Sequence, residues 1–134
     1  MTGVHSFCFY KDKMVVVYSE SKKRWTPPGG GVESVETIQE TAVREIKEET
    51  NMRVIKRSII GYQDVMEPTG VITQVRSVCL VEPYGDFVSD PDDGEITEIK
   101  LIDPKEYKHY FNWMDIGDHL TKRAIAVKAR IELE

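Results

Sequence analysis

Three glutamates, Glu45, Glu48 and Glu49, are spaced so that a helix would gather their carboxylates on one side. At 3.6 residues per turn they fall within a sector of about 100°. The same segment carries an apolar stripe, formed by Ala42, Val43 and Ile46. Glu45 and Glu49 lie beside this stripe, where like charges one turn apart repel and partial burial increases the cost. A divalent cation such as Mg²⁺ would relieve that repulsion. From geometry alone, a metal site and a solvated acidic face are equally good interpretations.

The helix that positions these glutamates has well-defined ends in the sequence. The Thr37 hydroxyl can accept the free backbone N–H of Glu40, and the Glu40 side chain can reach back, which is typical of a capping box. Asn51 is a suitable left-handed terminator. These signals predict a helix over Ile38–Thr50.

The segment before the helix contains three consecutive glycines, at positions 29 to 31. Glycine lets the backbone come close to a ligand. Arg24 lies shortly before these glycines and could approach a phosphate group, although a solvated loop is the commoner environment for such a residue. The loop and the helix together therefore form the predicted site.

Residues 30–52 resemble the Nudix box, whose pattern is G-x5-E-x7-R-E-U-x-E-E-x-G-U, with U a bulky aliphatic residue. The positions that match in register are Gly30, Glu36, Arg44, Glu45, Ile46, Glu48, Glu49 and Met52. Two positions depart from the family: Asn51 replaces the second glycine, and Val35 stands where many members have a glycine. Because asparagine is the non-glycine residue that best tolerates positive φ, we expect the turn at residue 51 to be preserved.

The resemblance implies a divalent-metal site on the box helix. Glu45, Glu48 and Glu49, with the backbone carbonyl of Gly29, would hold Mg²⁺ or Mn²⁺. Such ions clamp the anionic oxygens of linked phosphates and lower the pKa of bound water. Arg44 would orient a box glutamate through a charge-assisted hydrogen bond, and a surface ion pair is the alternative.

The resemblance also implies supporting and proton-transfer roles. Gly30 and Glu36 are supporting box residues, and we expect Glu36 to brace the loop. The general base is either Glu45 or a carboxylate that follows the acidic loop of residues 84–94. For that later carboxylate Glu95 is the first choice and Glu98 the second, while a solvated acidic loop is an equally good interpretation.

Gln74 and Arg76 share one face of a strand predicted over residues 71–81. A buried arginine needs a partner. That partner is either a substrate phosphate or a structural carboxylate, with a slight preference for the carboxylate. Arg76 therefore joins Arg24 as a candidate substrate-binding residue.

The composition limits the class of protein. The chain has 134 residues, which suits a single domain over 1–134, and its formal net charge of −5 disfavours binding to nucleic acid or anionic membrane. The sequence shows neither an apolar run long enough to span a bilayer nor a secretory signal, so we expect a cytoplasmic protein. Cys8 and Cys79 fit buried free thiols. A homodimer is compatible with the sequence.

The order of predicted elements indicates an α/β domain, with strands over 3–10, 14–19 and 71–81 and helices over 38–50 and 115–131. The residues expected to face inward on the second helix are Leu120, Ala124, Ile125 and Val127. The resemblance implies the Nudix α/β/α sandwich, in which a mixed sheet lies between helices.

The function that the resemblance implies is hydrolysis of a nucleoside diphosphate linked to another moiety, by cleavage within the diphosphate bridge. A (deoxy)nucleoside triphosphate, cut to the monophosphate and pyrophosphate, is the first expectation for the substrate. One alternative is hydrolysis of ADP-ribose, another nucleotide-sugar or a dinucleotide. A second alternative is a catalytically inactive, nucleotide-binding regulatory module.

Overall fold

The computed structural model describes residues 2–87 and 95–134. The strands are β1 (Thr2–Tyr10), β2 (Lys13–Ser19), β3 (Arg24–Thr26), β4 (Gly29–Gly31), β5 (Met52–Glu67), β6 (Gly70–Pro83) and β7 (Ile96–Ile102). The helices are α1 (Ile38–Thr50) and α2 (Met114–Glu132), with a short 3₁₀ helix over Pro104–His109 between β7 and α2. Most of the predicted acidic loop, residues 88–94, lies outside the described residues.

The sheet is mixed, as expected, because β1 pairs in parallel with β6 and antiparallel with its other partners. The strand order is β3-β2-β1-β6-β5, with β7 added to β2 and β4 added to β1. The antiparallel partner of β1 changes along its length. Residues 8–10 of β1 pair with β2, whereas residues 3–5 pair with the glycine strand β4. The sheet therefore divides at the middle of β1.

The core forms two layers because alternate residues of a strand point to opposite faces of the sheet. Phe7 and Phe9 of β1 belong to the cluster that packs against α2, whereas Cys8 packs with Ile46 of α1. Val4 likewise packs on the α1 side, with Ala42. The predicted α/β/α sandwich is confirmed. Within the described residues, neither helix is long and apolar enough to cross a membrane.

Helix α1 has the predicted ends, Ile38 and Thr50. The Thr37 hydroxyl accepts the Glu40 backbone N–H at 3.1 Å, and the Glu40 carboxylate accepts the Thr37 N–H at 2.9 Å. At the other end Asn51 adopts a left-handed conformation with φ of 55°, and its N–H donates to the Lys47 carbonyl. Local capping thus explains both ends of the helix that carries the acidic residues.

Two residues expected to face the core are instead about two-fifths exposed. Val43 of α1 is 38% exposed and Ile125 of α2 is 41% exposed. Val43 directly follows the buried Ala42, and Ile125 directly follows the buried Ala124. Each therefore lies about 100° further around its helix than its buried neighbour. The sheet covers only one side of each helix, so these positions fall at its edge. On α1 the buried place belongs to Thr41, whose hydroxyl donates to the Thr37 carbonyl at 3.0 Å.

The β5–β6 hairpin is long, with strands of 16 and 14 residues. Two register shifts interrupt β5, one between Val54 and Lys56 and one between Ile59 and Gly61. The second shift sets Gly61 opposite Arg76 of β6. A bulge of this kind leaves one residue unpaired and bends the strand locally. This bend lies where the hairpin passes under α2, since the Ile60 carbonyl accepts a hydrogen bond from Arg123.

The left-handed conformation of Asn51 can be tested by substitution. Asn51→Val should lower the free energy of unfolding by about 1–2 kcal/mol, because a β-branched side chain meets the following carbonyl in this conformation. Asn51→Gly relieves that strain and loses only the hydrogen bond from Asn51 Nδ2 to the Asp86 carbonyl, at 2.9 Å. We expect its effect to stay within about 1 kcal/mol in urea denaturation. Equal losses in the two variants would contradict the role assigned to the backbone conformation.

Candidate active site

A cavity of about 580 Å³ is lined by residues from α1 and from both branches of the divided sheet. The predicted site residues that line it are Arg24, Gly29, Glu45, Glu48, Glu49 and Glu95. Gly30, Glu36 and Arg44 do not line it: Gly30 and Arg44 adjoin Glu45, and Glu36 pairs with Arg44. Two predicted residues lie elsewhere: Glu98 is on β7 opposite Tyr18, and Arg76 lines a different cavity.

Glu45 and Glu49 form a close acidic pair beside the glycine strand. The Gly29 N–H donates to Glu49 Oε1 at 3.1 Å, and the two carboxyl groups interact with each other. Burial, reinforced by the Glu45 charge, raises the pKa of Glu49 to about 8. Burial also raises the pKa of Glu45, against the opposing effect of Arg44. Without a bound cation, the pair therefore retains a proton near neutral pH.

Arg44 connects the acidic residues of the box to the loop. It binds both carboxylate oxygens of Glu36, through Nε at 2.6 Å and Nη2 at 2.9 Å. Its Nη1 group donates to Glu45 at 2.7 Å and to Glu48 at 3.3 Å, and Nη2 donates to the Gly31 carbonyl at 3.2 Å. The hydrogen bonds from Arg44 lower the pKa of Glu36 to about 2. Bidentate pairing of this kind fixes orientation as well as charge. The contacts support the positioning role predicted for Arg44.

Two glycines allow the strand to approach its neighbours closely. A Cβ at Gly30 would lie 2.6 Å from the Glu45 carboxyl group, and a Cβ at Gly29 would lie 2.2 Å from the Val4 carbonyl oxygen. Gly31 differs, because a Cβ there would meet no atom within 4 Å. The glycine at position 30 thus makes room for a carboxylate, while the one at position 29 makes room for the backbone of β1.

The donor atoms fit a hard divalent cation. Across residues 2–87 and 95–134, no group of three or more His, Cys, Asp or Glu side chains is already arranged to hold a metal ion. Arg44 instead engages Glu45 and Glu48. The available ligands are carboxylate oxygens, which suit Mg²⁺ and Mn²⁺. A cation would also favour the charged form of Glu49, whose pKa is raised by burial and, to a smaller extent, by the charge of Glu45.

Glu95 lines the same cavity from the other side of the sheet division. Its carboxylate accepts hydrogen bonds from the hydroxyl groups of Ser19 and Ser21. These bonds lower the pKa of Glu95, which makes it a weaker base than an ordinary glutamate. Glu45, whose pKa is raised, is the better placed of the two to accept a proton.

Sequence analysis assigned no role to His5 and none to Gln74, yet both line the cavity. His5 Nδ1 lies 3.2 Å from Arg76 Nη1. Because arginine only donates, Nδ1 accepts and the Nε2 atom carries the proton. Burial and the Arg76 charge lower the pKa of His5 to about 4, so the ring is neutral. Gln74 Oε1 is buried without a hydrogen-bond partner. The sequence contained one signal for both residues: His5 and Gln74 are polar residues at inward-facing positions of otherwise apolar strands.

We expected Arg76 to pair with a structural carboxylate or with a substrate phosphate, and no carboxylate among the described residues pairs with it. The Arg76 guanidinium contacts His5 and lies over the Trp113 ring, 4.7 Å from its centroid. The described residues provide it with no ion pair. The parallel pairing of β1 with β6 sets His5 opposite Arg76, which a sequence separation of 71 residues conceals.

The mixed sheet between two helices and the acidic helix beside a glycine strand are the arrangement that the box implied. The chain belongs to the NUDIX domain family, which matches residues 2–123.

Solved structures with the same fold include three that span most of this chain. The Bacillus subtilis pyrophosphohydrolase BsRppH is 26% identical with a TM-score of 0.67, and the match covers 75% of this chain but only 61% of BsRppH. The Nudix domain of Shewanella oneidensis NrtR, solved with ADP ribose, is 14% identical with a TM-score of 0.72 over 98% of this chain and 88% of that one. A Nudix-family hydrolase from Clostridium perfringens is 18% identical with a TM-score of 0.70, covering 99% and 97%.

The close approach of Gly30 to Glu45 leads to a matched pair of variants. Gly30→Ala should displace the Glu45 carboxyl group and lower hydrolysis of nucleotide by about tenfold or more, since misplacing a reacting group by about 1 Å costs up to 10²-fold. Gly31→Ala, one residue away, meets open space and should leave the rate unchanged. Steady-state rates of the two purified variants, with their melting temperatures as a check on folding, test the expectation. Equal rates would contradict it.

The raised pKa of Glu49 predicts how metal-free stability depends on pH. A carboxyl group whose folded pKa is about 8 binds its proton more tightly in the folded than in the unfolded state. Its stabilising contribution is therefore complete below about pH 4.5 and is lost as pH rises towards 8. Glu49→Gln should be less sensitive to pH across this window and should unfold at a higher temperature than the parent protein at pH 8.

The measurement is thermal unfolding of both proteins in chelator from pH 5 to pH 8.5. Glu106→Gln is the control, because Glu106 is an exposed glutamate on the 3₁₀ helix. It should follow the parent curve. Parallel curves for the parent protein and Glu49→Gln would show that Glu49 does not titrate in this range.

Proposed function

We propose that the protein is a divalent-metal-dependent pyrophosphohydrolase that cleaves the diphosphate bridge of a nucleotide. The observation that carries this proposal is a cavity shared by acidic and basic residues. It is lined by Glu45, Glu48, Glu49 and Gly29 together with Lys22 and Arg24. A volume of about 580 Å³ is within the range of small-molecule sites. Carboxylates and cationic side chains in one cavity suit a substrate that is anionic and bound with cations.

The box residues divide the chemical work among themselves. Glu45, Glu48, Glu49 and the Gly29 carbonyl would hold Mg²⁺ or Mn²⁺, which would supply positive charge to the phosphate oxygens and lower the pKa of the attacking water. Glu45 accepts a proton from that water, and Glu95 is the second candidate for this role. Arg44 keeps the Glu45 carboxylate in place.

The remaining polar residues bind and orient the substrate. Arg24 and Lys22 line the cavity and can pair with phosphate oxygens. His5 presents an Nε2–H donor, since its Nδ1 is engaged by Arg76. Gln74 lines the cavity beside His5, and the two side chains interact with each other. These two residues can form hydrogen bonds with the part of the substrate that is not phosphate.

A (deoxy)nucleoside triphosphate is the first proposed substrate, with the monophosphate and pyrophosphate as products. ADP-ribose or another nucleotide-sugar or dinucleotide is the second, supported by the fold shared with the Nudix domain solved with ADP ribose. A regulatory module that binds nucleotide without cleaving it is the third. The retention of every box glutamate favours the hydrolase over the module.

We also propose a cytoplasmic protein, because both cysteines are buried free thiols and a reducing compartment preserves these.

The homodimer proposed from the sequence has a candidate surface at the end of the β5–β6 hairpin, where Tyr62 and Met66 are more than three-quarters exposed at 76% and 78%. Light scattering of the purified protein tests this assembly.

Hydrolysis in labelled water tests the function directly. With Mg²⁺, H₂¹⁸O and a panel of nucleotides, label should appear in a phosphate-containing product cut within the diphosphate bridge. Glu45→Gln should slow this reaction by about 10²–10⁴-fold, as expected for loss of a general base. Its nucleotide affinity should change only a few-fold, because Glu45 acts on water and metal rather than on the base.

Glu106→Gln is again the matched control and should retain the parent rate. Chelation of the metal should abolish turnover, and addition of Mg²⁺ or Mn²⁺ should restore it. Saturable nucleotide binding without label incorporation across the whole panel would instead identify a binding module.

A further inference from the structure

A second cavity, of about 280 Å³, lies between the bulge of β5 and the first half of α2. We call it the β5–α2 cavity, and its polar and glycine lining consists of Arg76, Arg123, His119, Gln63 and Gly61. Among the described residues, no aspartate or glutamate lines it, and none of its lining residues also lines the active-site cavity. In a chain with a net charge of −5, this is a locally basic depression.

Arg76 is the residue that most needs a partner. It is only 8% exposed, and among the described residues it hydrogen-bonds to His5 alone, with the Trp113 ring against one face. Its Nε atom is buried without any partner. Burial lowers the pKa of Arg76. Buried charges are normally paired with an opposite charge, and no described carboxylate pairs with this guanidinium.

Arg123 supplies a second guanidinium to the same cavity. Its Nε donates to the Ile60 carbonyl at 3.0 Å, which anchors the side chain at the bulge of β5. No hydrogen bond within the described residues engages its two Nη groups. Gly61, opposite Arg76 across the β5–β6 pairing, contributes no side chain, and a Cβ there would meet no atom within 4 Å. The bulge and the glycine thus leave the space beside Arg76 open.

We propose that the β5–α2 cavity is a second binding site, which takes a phosphoryl anion between Arg76 and Arg123. Guanidinium groups match the geometry of phosphate oxygens and pair with them strongly. The anion would supply the charge that Arg76 lacks. The phosphoryl group can come from free inorganic phosphate or from a mononucleotide. The site is distinct from the active-site cavity, because the two share no lining residue, and they meet only where Arg76 contacts His5.

The test is a titration of the metal-free protein with inorganic phosphate, followed by backbone amide NMR. Chelation matters because the acidic active site then repels phosphate. We expect saturable shifts at Gly61 and along the first half of α2, with residues 29–31 unaffected. Saturable shifts confined to residues 29–31, or none at either place, would overturn the proposal.

Three variants probe the site in different ways. Arg123→Gln removes one guanidinium from an exposed position and should weaken phosphate binding by about tenfold or more, as expected for loss of a charge-assisted hydrogen bond. Gly61→Val fills the open space and should block binding while the protein stays folded. Arg130→Gln, on the same helix but away from the cavity, should bind like the parent protein.

Equal weakening in Arg123→Gln and Arg130→Gln would show non-specific attraction and would overturn the proposal. Titration with adenosine monophosphate distinguishes the sources of the phosphoryl group. Tighter binding of the mononucleotide, with the same loss in Gly61→Val, assigns the site to a nucleotide phosphate. Tighter binding of inorganic phosphate, again lost in Gly61→Val, assigns it to the free anion. Binding of both ligands that Gly61→Val leaves intact would overturn the site.

Discussion

The active site depends on one constraint: several carboxylates must lie close together at a partly buried surface. Arg44 offsets part of the repulsion between these carboxylates, because its single guanidinium binds Glu36, Glu45 and Glu48. It also donates a hydrogen bond to the loop carbonyl of Gly31. Glu49 has no contact with Arg44, and burial together with the charge of Glu45 raises the pKa of Glu49. A divalent cation would offset both the burial of the charged carboxylate and its repulsion by Glu45.

Local interactions explain why the box helix could be predicted to the residue. The capping box at Thr37 and the left-handed turn at Asn51 involve neighbours in sequence, so their signals are complete in the sequence itself. The errors occurred where the answer depends on a distant element. Val43 and Ile125 are apolar and correctly spaced for the core, but the sheet covers only the side of each helix that Ala42 and Ala124 occupy.

The same distinction applies to the site. Glu45, Glu48, Glu49 and Gly29 were predicted because they lie within or directly before a compact motif, and these four residues line one cavity. The His5–Arg76 contact could not be predicted, since it requires the parallel pairing of β1 and β6 across 71 residues. A polar residue among the apolar residues of a strand indicates that its side chain has a polar contact. It does not show which distant residue is involved.

The division of the sheet along β1 has a consequence for how such a protein can change over generations. One branch, the glycine strand, faces the carboxylates through backbone atoms and admits no larger side chain at Gly29 or Gly30. The other branch presents ordinary side chains, such as Ser19 and Arg24, to the same cavity. Substitutions on the second wall therefore meet fewer steric limits than substitutions at Gly29 and Gly30. Ligand preference could change on one wall without altering the wall that faces the carboxylates.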